Sequence, residues 1–400
     1  MQKIRHYIFL KDALVIALTA FGGPQAHIAL FLEVFVNKRR YITESDLLEI
    51  HALCQVLPGP STTQTLTAIA YKRGGTFLAF LALLVWTLPA VSLMTGFALV
   101  LTYFQTKGLS MDFTTYIQPI ALGLVSYSAY IFTKKSVDTK TAVLIFFVAG
   151  LLCYVWRTPY AFPLVLVMGG FSSAYKFKKQ EKMPKERFNL AWQYFFIYVG
   201  IFVLAASLGA LTHSLPIRLF ENFYRNGSLI FGGGQVLIPA LYYEFVSFKK
   251  YLLKEEFLLG YALEQSMPGP VFSFSSFVGA LSMREHGFWG EILGGLVAAV
   301  GVFLPGTLLI FFVIRFWDQL KKFRVVRASL EGINAAGAGL VVAGALVMLR
   351  SLSLDWLNMT IFAITIVLKI TEKAPTPLII AVGVIAGILS PLLKVWISSF

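Results

Sequence analysis

The stretch LCQVLPGPSTTQ, residues 53–64, decides the fold, because it interrupts a sequence that is otherwise apolar and helix-like. Proline lacks a backbone N–H and clashes with the preceding helical turn, and glycine adopts backbone angles that other residues avoid. We therefore predict that one helix ends just before PGP and that another begins just after it. Ser61, Thr62 and Thr63 then lie in the first turn of the second helix, where hydroxyls pair with free backbone amides.

The composition places these helices in a membrane. Hydrophobic residues make up 57% of the chain and charged residues only 14%, whereas a soluble domain is usually about 25% charged. The basic residues behind the net charge of +14 cluster in short loops between apolar runs, which is typical of membrane topology and does not indicate nucleic-acid binding. We expect an all-α polytopic membrane protein. Its nearly uncharged apolar runs are 76–104, 141–156, 191–211, 288–314 and 376–393.

The PGP break belongs to an internal repeat. FGGPQAHIALF at 21–31 matches FGGGQVLIPAL at 231–241, and CQVLPGP at 54–60 matches EQSMPGP at 264–270, at one constant offset. Because both the order and the spacing of the motifs agree, we predict a duplicated unit. The predicted parts are an N-terminal transporter repeat, 1–176, a connecting segment, 177–212, and a C-terminal transporter repeat, 213–400.

The connecting segment predicts the relative orientation of the repeats. It starts as a basic cytoplasmic linker, KFKKQEKMPKERFN at 176–189, and continues as one additional apolar span that inverts the second repeat. Loop charges agree: 105–113 is nearly neutral, whereas the equivalent loop containing Lys321 and Lys322 is basic, so the two face opposite sides. We therefore predict inverted-topology repeats with broken or re-entrant helices, an arrangement typical of secondary transporters.

The helix breaks form the candidate site. Broken backbone at membrane depth is tolerated only where it is buried in protein or lines a wet cavity, and helix N-termini attract anions. Converging breaks therefore predict an anion site, although each motif read alone is equally compatible with a simple kink or a tight helix crossing. The helix-breaking prolines are Pro24, Pro58, Pro60, Pro268 and Pro270. The neutral donors expected at the anion are Gln25, His27, Gln55, Gln235, Gln265, Ser61, Thr62, Thr63, Ser273 and Ser275.

Three ionisable residues near the breaks have two interpretations each. Glu264, which precedes the second PGP and replaces Cys54 of the first repeat, is either a proton carrier or a hydrogen-bonded structural carboxylate. His27 is either an anion donor or proton site, or a structural histidine. Arg225 either tunes the field toward anions or marks a helix end.

Together, FGGPQAHIALF with QVLPGPSTTQ and FGGGQVLIPAL with PGPVFSFSSFVGA resemble the chromate ion transporter family, long-chain duplicated members included. The resemblance covers nearly the whole chain. It implies a multi-pass carrier of the bacterial or archaeal plasma (inner) membrane that exports chromate, with sulfate as a similar tetrahedral anion. The motif positions that it carries over are Gly22, Gly23, Pro24, Gln25, His27, Gln55, Pro58, Gly59, Pro60, Gly232, Gly233, Gly234, Gln235, Pro268, Gly269 and Pro270.

The expected function is therefore secondary transport of chromate and sulfate-like oxyanions across the lipid bilayer. The sequence has no Walker motif, and it predicts no cofactor and no metal site. A homodimer is left open. The alternatives are an uptake carrier or a channel for sulfate or another oxyanion. An intramembrane enzyme is the remote alternative, because Ser61 and His51 lack the motif of a hydrolase nucleophile.

Overall fold

The computed structural model describes residues 2–156, 158, 161–175, 192–231, 233–314, 324–350, 352–353 and 355–398. Within these ranges every regular element is a helix. The first half contains α1 Gln2–Thr19, α2 Gly23–Phe31, α3 Glu44–Val56, α4 Ser61–Thr106, α5 Ile117–Ser136, α6 Lys140–Val155 and α7 Ala161–Ala174. The rest contains α8 Trp192–Thr212, α9 Leu215–Leu229, α10 Gly234–Leu241, α11 Lys254–Gln265, α12 Phe274–Ser282, α13 Gly287–Val313, α14 Arg324–Leu349, α15 Trp356–Ile370 and α16 Thr376–Ser398.

The protein is a membrane protein by the length and composition of its helices. The described segments long and apolar enough to cross a bilayer are Ser61–Thr106, Trp192–Thr212, Arg284–Val313 and Ala328–Leu349. Several shorter apolar helices accompany them, α6, α7, α12 and α15 included. The helix α8 exposes large apolar side chains along its length, as expected of a helix that faces lipid.

Unusual backbone features recur at equivalent places in the two halves. A π-helical segment continues α2 over Leu32–Lys38, and another continues α10 over Tyr242–Phe248. Each π-segment is followed by a non-glycine residue with positive φ, Arg40 at 52° and Lys250 at 56°. Such residues are uncommon, so their recurrence indicates that the two FGG motifs are followed by the same local structure.

Each half hydrogen-bonds to the break of the other half. The Gly59 N–H donates to the Ile230 carbonyl over 2.8 Å, and the Gly269 N–H donates to the Ala20 carbonyl over 3.1 Å. Ala20 and Ile230 directly precede the two FGG motifs. Each PGP is therefore held against the FGG region of the opposite half, which places the four breaks at the interface between the halves.

The carboxyl-terminal helices of the two halves are also exchanged. α14 packs on α6 and α7 of the first half, and α5 packs on α15 and α16 of the second. Glycines allow the helices to approach closely: a Cβ on Gly332 of α14 would lie 1.9 Å from the Gly169 carbonyl of α7. Small residues at such crossings are typical of helix association in membranes. The halves are consequently interlocked.

The breaks lie where proline and glycine interrupt the helices. α3 ends at Val56 and α4 begins at Ser61, while α11 ends at Gln265 and a 3₁₀ turn begins at Val271. α2 begins at Gly23 because Gly22, with φ of 97°, makes the turn before it. The predicted basic linker, 176–189, and the basic loop at Lys321 and Lys322 lie outside the described residues.

Candidate functional site

A cavity of about 200 Å³ lies where breaks from the two halves meet. Gly22, Gly23 and Pro24 line it from the first half. Gly234 and Gln235 line it from the second. The second PGP contributes Gly269, whose amide is bonded to the first half as described above. The cavity thus joins both FGG motifs to one PGP motif.

Two helix N-termini open into this cavity, because Gly23 and Gly234 are the first residues of α2 and α10. The preceding Gly22 and Gly233 have φ of 97° and 80°, a region that glycine adopts at little cost. The first amides of a helix lack intrahelical acceptors, and the helix dipole adds positive potential there. The two starts therefore supply a positive field to the cavity from opposite halves.

One cation and one carboxylate also line the cavity. The Lys369 ammonium donates to the Thr376 hydroxyl over 3.0 Å and lies 5.6 Å from the centre of the Tyr127 ring. Glu264 is 7% exposed, and one of its carboxylate oxygens accepts a 2.8 Å bond from the Gln265 side chain. The cavity can therefore bind an anion, with Glu264 opposing the anion while it is ionised.

The first PGP break does not line this cavity and lies in a polar network that includes residues of both halves. The Gln64 side-chain amide donates to the carbonyls of Pro58 and Gly306 over 2.9 and 3.1 Å. The Trp86 indole donates to the Thr63 hydroxyl over 3.1 Å, and the His27 ring meets the Trp86 ring edge-on. These contacts fill the break with side chains of the protein itself.

The hydroxyls after the second PGP are buried without partners. In the described part of the chain, no hydrogen bond reaches the hydroxyls of Ser273, Ser275 and Ser276. By contrast, Thr62 of the first half lies 3.4 Å from a ring nitrogen of His27. A buried hydroxyl without a partner costs free energy, and such groups are often explained by a ligand or a function.

The structure thus separates the residues expected at one site. Those that line the cavity are Gly22, Gly23, Pro24, Gly234, Gln235, Glu264, Gln265 and Gly269. Those that do not line it are Gln25, His27, Gln55, Gly59, Ser61, Thr62, Thr63, Gly233, Ser273 and Ser275, together with Pro58, Pro60, Pro268 and Pro270. Only one PGP reaches the cavity because Gln64 fills the space beside the other.

Arg225 lies in a different cluster. Its guanidinium donates to Glu244, which is 1% exposed, over 2.6 Å and to Glu221 over 3.1 Å. Lys249 also approaches Glu244, at 3.1 Å. With Arg218 these residues line a second cavity of about 390 Å³. Arg225 is therefore part of a buried ion-pair network and does not line the cavity between the FGG motifs.

Several residues that line the cavity were not predicted from the sequence, because they lie outside the repeated motifs. Tyr127 and Ser128 come from α5, and Lys369 and Thr376 come from α15 and the start of α16. Lys369 did give a signal, since it stands near the end of the apolar run WLNMTIFAITIVLKI. A single lysine at the end of an apolar run is the usual pattern of a charge at the membrane surface, so this signal does not distinguish a cavity residue.

A family model described as chromate transporter matches residues 8–174 and 217–388. The chain belongs to the chromate transporter family. The same model matches twice, which agrees with the internal repeat. As a member of this family the protein is a multi-pass membrane transporter rather than an enzyme. The nitrogens of the His51 ring, which was named with Ser61 in the remote enzyme alternative, bond to Thr65 and Gln55.

Relatives of this family member align with it along nearly the full length of both chains. This chain is 26% identical to a probable chromate transport protein of Synechococcus elongatus, over 92% of this chain and 91% of that protein. It is 26% identical to a chromate transport protein of Cupriavidus metallidurans, over 93% and 90%. An uncharacterized transporter of Methanocaldococcus jannaschii is 24% identical, over 94% and 92%. No solved structure is significantly similar to the chain.

Proposed function

We propose that this protein is a secondary transporter that exports chromate, and that chromate binds in the cavity between the two FGG motifs. The observation that carries the proposal is the convergence of two helix starts, at Gly23 and Gly234, on one cavity that also contains Lys369. Relatives named as chromate transport proteins support the choice of substrate. We propose that sulfate, which has the same charge and tetrahedral shape, competes for the site.

The cavity has the size and charge that a partly dehydrated oxyanion requires. Its volume of about 200 Å³ holds about six waters at about 30 Å³ each, so a tetrahedral anion fits together with several of its waters. Backbone amides at the starts of α2 and α10 supply donors, and Lys369 supplies a full positive charge. Such groups replace the lost hydration of the anion.

Glu264 provides a proposed link to protons. An ionised carboxylate beside a bound dianion is repulsive, whereas a protonated one is neutral and can donate a hydrogen bond. Chromate binding and protonation of Glu264 therefore favour each other. Since Glu264 is buried against the cavity, a proton taken up there would be carried with the anion.

The interlocked halves suit alternating access between inverted repeats. The reciprocal bonds from Gly59 to Ile230 and from Gly269 to Ala20 relate the breaks in pairs, which supports two oppositely oriented repeats around a common site. We propose that the halves rock about these contacts. An inside-negative potential would then favour expulsion of a dianion, by about 2.3 kcal/mol per charge for each 100 mV.

The test is chromate flux in cells that contain or lack the protein, followed by flux in vesicles reconstituted with purified protein. Lower intracellular chromate in the presence of the protein, relieved by excess sulfate, is the expected result. Higher accumulation would contradict export and indicate uptake. Flux that rises linearly with chromate concentration, without saturation, would indicate a channel rather than a carrier.

A further inference from the structure

A third and larger cavity lies far from the FGG motifs, at the other end of the helical segments that begin at the first motif. Its volume is about 1100 Å³. It is lined by Val36, in the π-segment that continues α2, and by Ile69 in the first part of α4. α4 rises about 1.5 Å per residue from Ser61 to Arg73, so this cavity is about 18 Å from the first break. That distance brings it to the surface of the membrane.

The lining of this cavity is strongly basic. We name it the basic cavity after its four cationic residues, Arg5, Arg40, Lys72 and Arg73. Asp46 is the acidic residue in the lining, and it accepts a 2.6 Å bond from the Thr43 hydroxyl rather than one from an arginine. Among the described residues, no salt bridge involves any of the four cations. The neighbouring Arg39, by contrast, is paired with Asp12 at 2.9 Å.

Arg73 is held in place but incompletely satisfied. One of its terminal nitrogens donates to the Tyr41 carbonyl over 2.9 Å, and its guanidinium carbon lies 4.3 Å from the centre of the Tyr41 ring. Its Nε is buried and has no hydrogen-bond partner in the residues that the structure describes. A guanidinium that is fixed in place and not paired with a carboxylate is well suited to bind a tetrahedral oxyanion.

At the equivalent place in the second half, an arginine is paired with a glutamate of the same half. Arg284 also reaches the carbonyl of the corresponding tyrosine, Tyr251, at 3.5 Å, but it forms a 2.5 Å salt bridge with Glu256. Glu256 occupies the same position in α11 as Asp46 does in α3, and it is 4% exposed. The longer glutamate side chain reaches the arginine. The same local structure is therefore closed by an ion pair in one half and left cationic in the other.

We infer that the basic cavity binds a tetrahedral oxyanion, either a soluble dianion or the phosphate of an anionic lipid headgroup. Its four cations place it on the cytoplasmic side by the positive-inside rule. For a soluble anion it would act as a loading site, because clustered charge raises the local concentration of anions and their rate of association. The equivalent place in the second half, where Glu256 neutralises Arg284, would retain an anion less strongly after release. Binding here is a property separate from transport through the cavity between the FGG motifs.

The experiment measures binding of radiolabelled sulfate to the full-length protein in nanodiscs of phosphatidylcholine at low salt. The test variant is Arg40→Gln with Lys72→Gln, which leaves the half-buried Arg73 in place. The matched control is Lys250→Gln, at the position equivalent to Arg40 and with the same backbone conformation. Each cation near a membrane surface contributes about a fivefold factor in binding, so we expect about 25-fold weaker binding at one salt-sensitive site in the test variant. The control should bind like the wild type.

Nanodiscs that contain phosphatidylglycerol identify the source of the anion. Loss of the salt-sensitive sulfate site in these discs, in the wild type only, assigns the cavity to a lipid headgroup. Persistence of that site assigns it to a soluble dianion, and both results support the inference. Equal sulfate binding by the wild type and the test variant in both lipids would overturn it. Because this measurement needs no chromate flux, failure of the proposed export would leave the result interpretable.

Discussion

The two PGP breaks have a similar turn at their central glycine, with φ of 112° at Gly59 and 117° at Gly269, but different surroundings. At the first, Gln64 fills the space and bonds to the carbonyls of Pro58 and Gly306. At the second, Gly269 borders a cavity, and Glu264 stands where the first half has Cys54. The two repeats therefore share the glycine turn of the break, whereas their side chains differ. Those at the first break fill the space beside it, and those at the second leave a cavity. We interpret the first break as structural and the second as the one that contacts the anion.

Removing the positive charge of Lys369 from the cavity should have the largest effect on transport. Removing one partner from a buried charged contact typically costs about 2–5 kcal/mol, so Lys369→Gln should raise the chromate concentration for half-maximal flux by about 30-fold or more. Lys369→Arg keeps the charge and serves as the control. Flux in reconstituted vesicles is the measurement, and an unaltered concentration dependence in Lys369→Gln would contradict an anion site at this cavity.

The complementary substitution at the first break should lower stability instead. Gln64→Met removes both hydrogen bonds to buried carbonyls, which typically costs about 1–3 kcal/mol. The half-saturating chromate concentration should not change, because Gln64 does not line the cavity. Thermal unfolding in detergent and flux in vesicles are measured on the same preparation. A stable variant with weakened substrate affinity would show that the first break also contacts the anion.

The pH dependence of flux tests the Glu264–Cys54 difference. Ionised Glu264 repels the dianion, so wild-type flux should rise as the pH falls, by up to about tenfold per pH unit for one titrating group. Glu264→Gln mimics the neutral form and should give high flux with a flat profile. Comparing the variant with the wild type at each pH cancels the protonation of chromate itself. Cys54→Ser, at the equivalent position, should keep the wild-type profile, and a parallel profile in Glu264→Gln would exclude this residue from coupling.

The smallest expected effect concerns the buried hydroxyls. Ser275→Ala removes a buried hydroxyl without a described partner and should raise the unfolding free energy by up to about 1 kcal/mol. Trp86→Phe, which removes the bond to Thr63, should cost about 1 kcal/mol. Thermal unfolding of the two variants makes the comparison. A larger loss in Ser275→Ala than in Trp86→Phe would mean that the hydroxyls of the second half are structural after all.

The repeated motifs allowed much of the fold to be predicted. Proline and glycine at PGP act locally, so the helix ends at Val56 and Gln265 could be located from sequence. Which residues line the cavity could not be predicted from the sequence. Gln64 and Phe274 occupy equivalent positions, and only the packing of the opposite half decides that the first fills its break. Lys369 reaches the cavity through the exchange of α15 between halves, which no local pattern encodes.

The reciprocal bonds between the halves also constrain how the protein is made. The Gly59 amide finds its acceptor only when Ile230 has been synthesised, about ten to thirty seconds later at roughly 5–20 residues per second. Until then the first half holds an unpaired break at membrane depth, where an unsatisfied amide costs several kcal/mol. The second half meets no such delay, because Ala20 is already present when Gly269 emerges. The first half must therefore remain in the membrane with the Gly59 amide unpaired. Both hydrogen bonds between the halves form once the second half has been inserted.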